Sequence, residues 1–139
     1  MHRTRWHGLM ISALRSNRIE HAMQKQRDIR YYPKDKLHLK QDVPGAKMWP
    51  VALEQSMLTY FEAEPNSYFD MHKHESEQIT FVLECVLYFE MQDRTVDVNA
   101  GEVIAIPSNL EHAVHTRNES ARAVDAWSPV REEYKNEKS

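Results

Sequence analysis

Between residues 47 and 127 the sequence changes character roughly every ten positions, and few folds can use such a rhythm. Short runs rich in β-branched, aromatic and aliphatic residues fall at 47–53, 57–63, 68–74, 78–84, 86–91, 94–98, 103–106, 112–117 and 121–127. Turn-forming stretches lie between them: Glu64-Pro65-Asn66-Ser67, Gln92-Asp93, Asn99-Ala100-Gly101, Pro107-Ser108-Asn109 and Asn118-Glu119-Ser120. Strand runs repeating at about 8–12 residues point to an all-β sandwich or barrel rather than a parallel α/β sheet. No internal repeat is visible.

The preceding segment is different. Residues 8–29 carry a partial apolar stripe (Leu9, Ile11, Leu14, Ile19, Ala22, Met23) compatible with a helix, interrupted at Ser16 and Asn17, either of which suits an N-cap. Residues 31–46, with Pro33, Pro44 and Gly45 among charged groups, read as an extended linker. The net charge of −3 hides a balance of +5 over residues 1–30 and −8 over the remainder. A basic arm of this kind can touch nucleic acid, dock on an acidic surface or remain solvated, and the missing helix-turn-helix pattern argues against nucleic acid as a partner. A single cysteine, Cys85, excludes an internal disulfide and fits a reducing, cytoplasmic setting. No apolar run approaches the roughly 20 residues of a membrane span, and Leu9 to Leu14 is short for a secretory core. Membrane attachment is not expected.

The densest chemical signal is His72-Lys73-His74-Glu75-Ser76-Glu77-Gln78. On a strand, residues at i and i+2 share a face, so His72 and His74 either converge inside a barrel or lie together on a polar hairpin. A second cluster runs Gly101-Glu102-Val103-Ile104-Ala105-Ile106-Pro107-Ser108-Asn109-Leu110-Glu111-His112: a turn glycine, a strand, a proline turn and a histidine.

Together these clusters resemble the two motifs of the cupin superfamily, in order and at the expected separations. The first is an HxH pair followed by a ligand position and a glycine. The second is a glycine, a proline and a closing histidine. The resemblance covers roughly residues 47–131 and implies a cupin double-stranded β-helix, a jelly-roll β-barrel. Residues 1–45 then form an N-terminal arm and linker, 46–131 the barrel, and 132–139 a C-terminal tail. It also implies one divalent metal on His72, His74, Gln78 and His112. Gln78 replaces the usual glutamate unless Glu77 takes that position by a one-residue slip. Cys85 replaces a turn glycine, at a cost of about 1 kcal/mol or more if the turn needs positive φ. Asn109, in place of the second-motif glycine, tolerates that conformation, and Thr116 replaces a terminal asparagine.

Three imidazoles and an amide oxygen form a borderline donor set, suited to divalent Ni, Mn, Fe, Co or Zn. Being neutral, the set leaves the cation its full charge. It therefore favours a small anionic substrate and Lewis-acid chemistry over oxidation to the trivalent state.

A third cluster, Asp125-Ala126-Trp127-Ser128-Pro129-Val130-Arg131-Glu132-Glu133-Tyr134, resembles the end of the pectin-degradation cupins, which open unsaturated uronates. That resemblance implies Asp125 as general acid/base, Arg131 as carboxylate clamp and Trp127 as a wall against a sugar-like ring. The alternative is a salt-bridged C-terminal segment in which Arg131 pairs with a nearby glutamate. Thr80, on the Gln78 face, stands where cupin-type sulfonium-propionate lyases carry a tyrosine base, which counts against that reaction. Tyr60 and Glu62 share a face that points into the barrel or packs at its rim, and His115 has the opposite parity to His112.

The expected function is a metal-dependent isomerase or tautomerase acting on a sugar-derived carboxylate of the unsaturated-uronate kind. A non-haem metal dioxygenase and a non-catalytic ligand-binding sensor are the alternatives. Because runs such as Ile79 to Leu83 are apolar on both faces, a homodimer that covers the outer sheet is expected.

Overall fold

The computed structural model describes residues 5–135. Residues 1–4 of the basic arm and 136–139 of the C-terminal tail lie outside it. The chain separates into two units, 1–36 and 37–139. The first contains helix α1 (Arg5–Gln26) and a 3-10 turn at Lys34–Lys36. Helix α1 runs through Ser16 and Asn17 without a break, so neither residue caps a second helix. A serine or asparagine inside a helix costs only a fraction of a kcal/mol in propensity, which flanking residues can absorb.

The second unit is built from ten antiparallel strands: β1 (Lys40–Gln41), β2 (Ala46–Ala52), β3 (Met57–Ala63), β4 (Tyr68–His72), β5 (Glu77–Glu84), β6 (Val86–Glu90), β7 (Thr95–Asn99), β8 (Val103–Ile106), β9 (His112–His115) and β10 (Ala121–Ser128). They form a six-stranded sheet, β1-β2-β3-β10-β5-β8, and a four-stranded sheet, β4-β9-β6-β7. A short helix, α2 (Glu132–Lys135), follows. Strand β1, which lies in the stretch that reads as linker, pairs Lys40 with Met48 and Gln41 with Lys47.

Alternation drives this arrangement. In β3, β5 and β10 every second side chain is buried: Met57, Thr59, Phe61 and Ala63; Gln78, Thr80 and Val82; Ala121, Ala123, Asp125 and Trp127. Ala46, Met48, Phe61, Val82, Leu87, Phe89, Val98 and Ile106 form the core between the sheets. At the other end the inner surface is polar, because Thr59, Gln78, Thr80, His112 and Asp125 are buried there. Burying so many polar groups is tolerable only where each finds a partner.

The outer face of the large sheet behaves differently. Ile79, Phe81 and Val103 are 51%, 43% and 56% exposed. Register places them in two cross-strand rows, Leu58–Ala126–Ile79–Ala105 and Tyr60–Val124–Phe81–Val103. Tyr60 therefore faces outward rather than into the barrel: its hydroxyl donates to Glu62 at 2.7 Å and accepts from Arg122 at 2.7 Å. Among the described residues, no helix is long and apolar enough to cross a membrane.

Thr116 closes the corner between β3 and β4. Its hydroxyl donates to the Glu64 carbonyl at 2.6 Å and accepts from the Ser67 amide at 2.9 Å. Two turn positions carry the left-handed backbone that the glycine replacements raised as a question, Cys85 at φ 58° and Asn109 at φ 61°. The turn at Cys85 nonetheless forms, with the Ala100 amide donating to the Cys85 carbonyl at 2.8 Å. A side chain with a Cβ is strained there, so Cys85→Gly should raise stability by about 0.5–1 kcal/mol, a gain of roughly 2–5 °C in Tm on thermal melting. Asn109→Gly should change it by only a few tenths of a kcal/mol, because Asn tolerates the left-handed region.

Candidate metal centre

The histidines reach a common point by different routes. Strand β4 ends at His72, so His74 lies in the following loop rather than on the strand, and simple alternation does not align the pair. A bulge does. Phe69 pairs with Val114 and His72 with His112, so β4 spends one more residue than β9 over this stretch. The extra residue reverses the parity of the strand end, which turns His72 inward and leaves Met71 exposed. His72 then lies directly opposite His112, with ring centroids 4.5 Å apart, and His74 approaches both from the loop at 5.5 and 5.1 Å. One ring nitrogen from each of the three lies within 4.8 Å of the others.

The rings are oriented alike. Nδ1 of His72 lies 2.7 Å from the Asp70 carbonyl, Nδ1 of His74 2.7 Å from the Ser76 carbonyl, and Nδ1 of His112 2.8 Å from the Leu110 carbonyl. A carbonyl only accepts, so each Nδ1 donates, and in the neutral ring Nε2 carries a free lone pair. Burial lowers the pKa of His74 and takes that of His112 down to about 4, which keeps both rings neutral near pH 7.

Gln78 is buried on the inner face and Glu77 is exposed, so the glutamine, not the glutamate, faces the histidines. Its Oε1 lies 3.1 Å from His74 Nε2. With Nδ1 donating to Ser76, this contact sets one acceptor against another. The His112 Nε2 is buried with no hydrogen-bond partner. Buried lone pairs facing each other or facing nothing are costly unless a cation lies between them. Donor atoms bonded at about 2.0–2.2 Å to one cation stand roughly 3–4.4 Å apart, close to the separations present here. The residues therefore fit a divalent transition metal bound by His72, His74, His112 and Gln78.

Behind Gln78 is a register-built polar row. Asp125 pairs with Thr59 on one side and Thr80 on the other, and Trp127 pairs with Gln78. Asp125 Oδ1 accepts from the Thr80 hydroxyl in a short hydrogen bond and from Gln78 Nε2 at 3.2 Å. Its Oδ2 accepts from the Thr59 hydroxyl at 3.2 Å. The Trp127 indole donates to Thr59 at 2.9 Å. Burial pushes the Asp125 carboxyl up to about 6 against the opposing pull of Thr80, Gln78 and Thr59, and a bound cation would draw it down again.

His72, Gln78, His112, Asp125, Trp127 and Arg131 line one cavity of about 40 Å³ that opens to solvent. Trp127 forms a wall, edge-on to His74 at 5.1 Å. Arg131 is paired: its Nε donates to Glu133 at 2.7 Å and its Nη1 to the Tyr134 hydroxyl at 3.0 Å, while its guanidinium lies over the Trp127 and Tyr134 rings at 4.9 and 4.4 Å. Tyr134, in the stretch that reads as tail, lines the same cavity, as does Asp42 from the stretch that reads as linker. An aromatic three residues after Arg131, on one helical turn, is the signal that marks Tyr134 in the sequence. Asp42 carries no comparable signal. Thr80 stands behind Gln78, fully buried, and His115 stacks between Tyr68 and Tyr88, away from the three clustered rings.

Thr59→Val would leave the indole N–H of Trp127 without its acceptor and Asp125 without one donor, both in buried positions. The expected loss is about 1–3 kcal/mol on chemical denaturation, with no change of volume to blame.

Residues 59–127 match the cupin domain. A comparison with curated proteins finds no significant match. Among solved structures, the chain is similar to an RmlC-like cupin from Shewanella frigidimarina (16% identity, 78% of this chain and 98% of that one, TM-score 0.71). It is also similar to KdgF from a Halomonas species (18% identity, 76% and 98%, TM-score 0.70). A third, the polyketide cyclase RemF from Streptomyces resistomycificus, shares 24% identity over 73% of this chain and 80% of that one, with a TM-score of 0.65. At these identities the likeness is one of fold. With two motifs, two antiparallel sheets and a matching domain signature in agreement, this chain belongs to the cupin superfamily.

Proposed function

We propose that the protein is a metal-dependent isomerase or tautomerase acting on a small sugar-derived carboxylate of the unsaturated-uronate type. The observation that carries this reading is that a neutral donor set and the side chains of Asp125, Trp127 and Arg131 share one cavity. When bound, a divalent Ni, Mn, Fe, Co or Zn ion acts as a Lewis acid that polarises a substrate oxygen.

The chain's own groups do the rest. Arg131 spends N–H groups on Glu133 and Tyr134, and of the five a guanidinium carries, the terminal edge retains donors for a substrate carboxylate. Trp127 offers an apolar surface to a sugar-like ring. Asp125 Oδ2 holds only the Thr59 hydroxyl and keeps a lone pair for proton transfer. Oδ2 takes the proton of the anomeric hydroxyl as the ring C–O bond breaks, leaving an aldehyde and an enolate, and that proton then returns to the enol carbon to give the ketone. Atoms and electrons balance without an oxidant. Burial raises the Tyr134 phenol well above its ordinary pKa, so it stays a neutral donor at the cavity mouth.

Metal-loaded protein should consume an unsaturated uronate, followed as loss of the conjugated enol-ether absorbance. Chelation should abolish the activity and a divalent ion restore it. Arg131→Ala should lower kcat/KM by about 100-fold or more, the worth of charge-assisted hydrogen bonds to a carboxylate. Rates indifferent to chelation or to Arg131 would retire the reading.

The occupant of the outer face of the large sheet is, on the same proposal, a second copy of the chain. Two apolar rows across four neighbouring strands exceed the scattered exposure usual on a monomer. Phe81→Glu should halve the solution mass measured by light scattering while leaving the far-ultraviolet circular dichroism unchanged. A wild-type chain that runs as a monomer would end the idea.

A further inference from the structure

A glutamine side chain keeps its shape when its amide rotates by half a turn, but oxygen and nitrogen change places. Only one orientation of Gln78 presents a ligand atom to the histidines. The hydrogen bonds behind it decide which. Gln78 Nε2 has two N–H groups: one reaches Asp125 Oδ1 at 3.2 Å and the other the Thr80 hydroxyl at 3.0 Å. The Thr80 hydroxyl commits its own proton to Asp125 Oδ1. The three groups close a cycle in which every donor is used. With the amide reversed, its oxygen would face a carboxylate oxygen and a hydroxyl oxygen whose hydrogen is already spent. The amide oxygen is therefore held 3.1 Å from the lone pair of His74 Nε2.

We propose that Asp125 is a positioning residue of the metal centre: through the Gln78 nitrogen it fixes the amide with its oxygen toward the cation, and it sets a carboxylate one hydrogen bond behind a neutral ligand. The proposal rests on the reading of His72, His74, His112 and Gln78 as a metal site. It is compatible with proton transfer at Oδ2, because orientation is exerted through Oδ1. An amide that donates to an anion is polarised, so its oxygen becomes the better donor to a metal. The donor set thus keeps four neutral atoms in contact with the cation while an acidic group compensates charge from behind.

Co²⁺ is the probe, its affinity measured by competition with a chromophoric chelator and its surroundings by the visible absorption of the bound ion. His112→Ala tests the site itself. If the wild-type protein binds Co²⁺ no more tightly than His112→Ala, the metal reading falls and the present proposal falls with it. Given wild-type binding, Asp125→Asn should lower affinity by about 10–100-fold and shift the Co²⁺ bands, since a neutral amide that can present either oxygen or nitrogen replaces the anionic, acceptor-only group that orients Gln78. Gln78→Glu alone should also bind poorly at low metal, because two carboxylates then crowd one place. The pair Asp125→Asn with Gln78→Glu exchanges donor for acceptor and should bind at least 10-fold tighter than Gln78→Glu alone. A purely structural role for Asp125 would produce no such rescue. Wild-type affinity and spectrum in Asp125→Asn would overturn the proposal, as would a double variant no better than Gln78→Glu. Should Asp125→Asn alone fail to fold, the comparison of Gln78→Glu with the double variant decides.

Discussion

Three imidazole rings are tied, through Nδ1, to carbonyls two residues from themselves, and the rest of the site is arranged around that constraint. Each bond is local, so it forms wherever the chain passes and needs no distant partner. Each selects the tautomer that leaves Nε2 free, and each stops the ring from turning. A cluster of nitrogen lone pairs is thereby prepared in advance. The cost is a buried acceptor with nothing to accept, His112 Nε2, and a second, His74 Nε2, set against the Gln78 oxygen. Folding tolerates it because the cluster lies at the open end of the barrel, while the apolar core beneath supplies the stability.

The barrel contributes register. A one-residue bulge in β4 turns His72 to the inner face beside His112, and the pairing of β3, β10 and β5 lines up Thr59, Asp125 and Thr80 in one row. Neither effect is a property of any single side chain. The row means that the neutral donor set is not isolated from negative charge, as counting ligands alone implies. A carboxylate stands behind Gln78, held by three donors that a barrel interior must supply if it is to bury an acid at all.

Past β10, Arg131 and Tyr134 bring the chain back over the cavity mouth. The guanidinium is shared between Glu133, the Tyr134 hydroxyl and two aromatic faces, so its position is set by contacts within a few residues of itself. Arg131 is paired with a nearby glutamate, and it also lines the cavity with Asp125 and Trp127.

What the amino-acid order determined by itself was the alternation. Strand runs and turn residues marked nine of the ten strands within a few positions, because burial on one face of a sheet demands a period of two. It also determined which side chains have ligand chemistry, since only certain residue types offer neutral nitrogen or oxygen donors. Tertiary structure decided where those side chains point. Parity read along β4 aligns His72 with His74, yet the strand ends at His72 and a bulge, invisible without its partner strand, sets the inner face. Tyr60, which its strand face left either inside the barrel or at its rim, faces outward by register. The contribution of Asp42 was illegible because it depends on chain returning to the site from a distance, and local pattern carries no information about that.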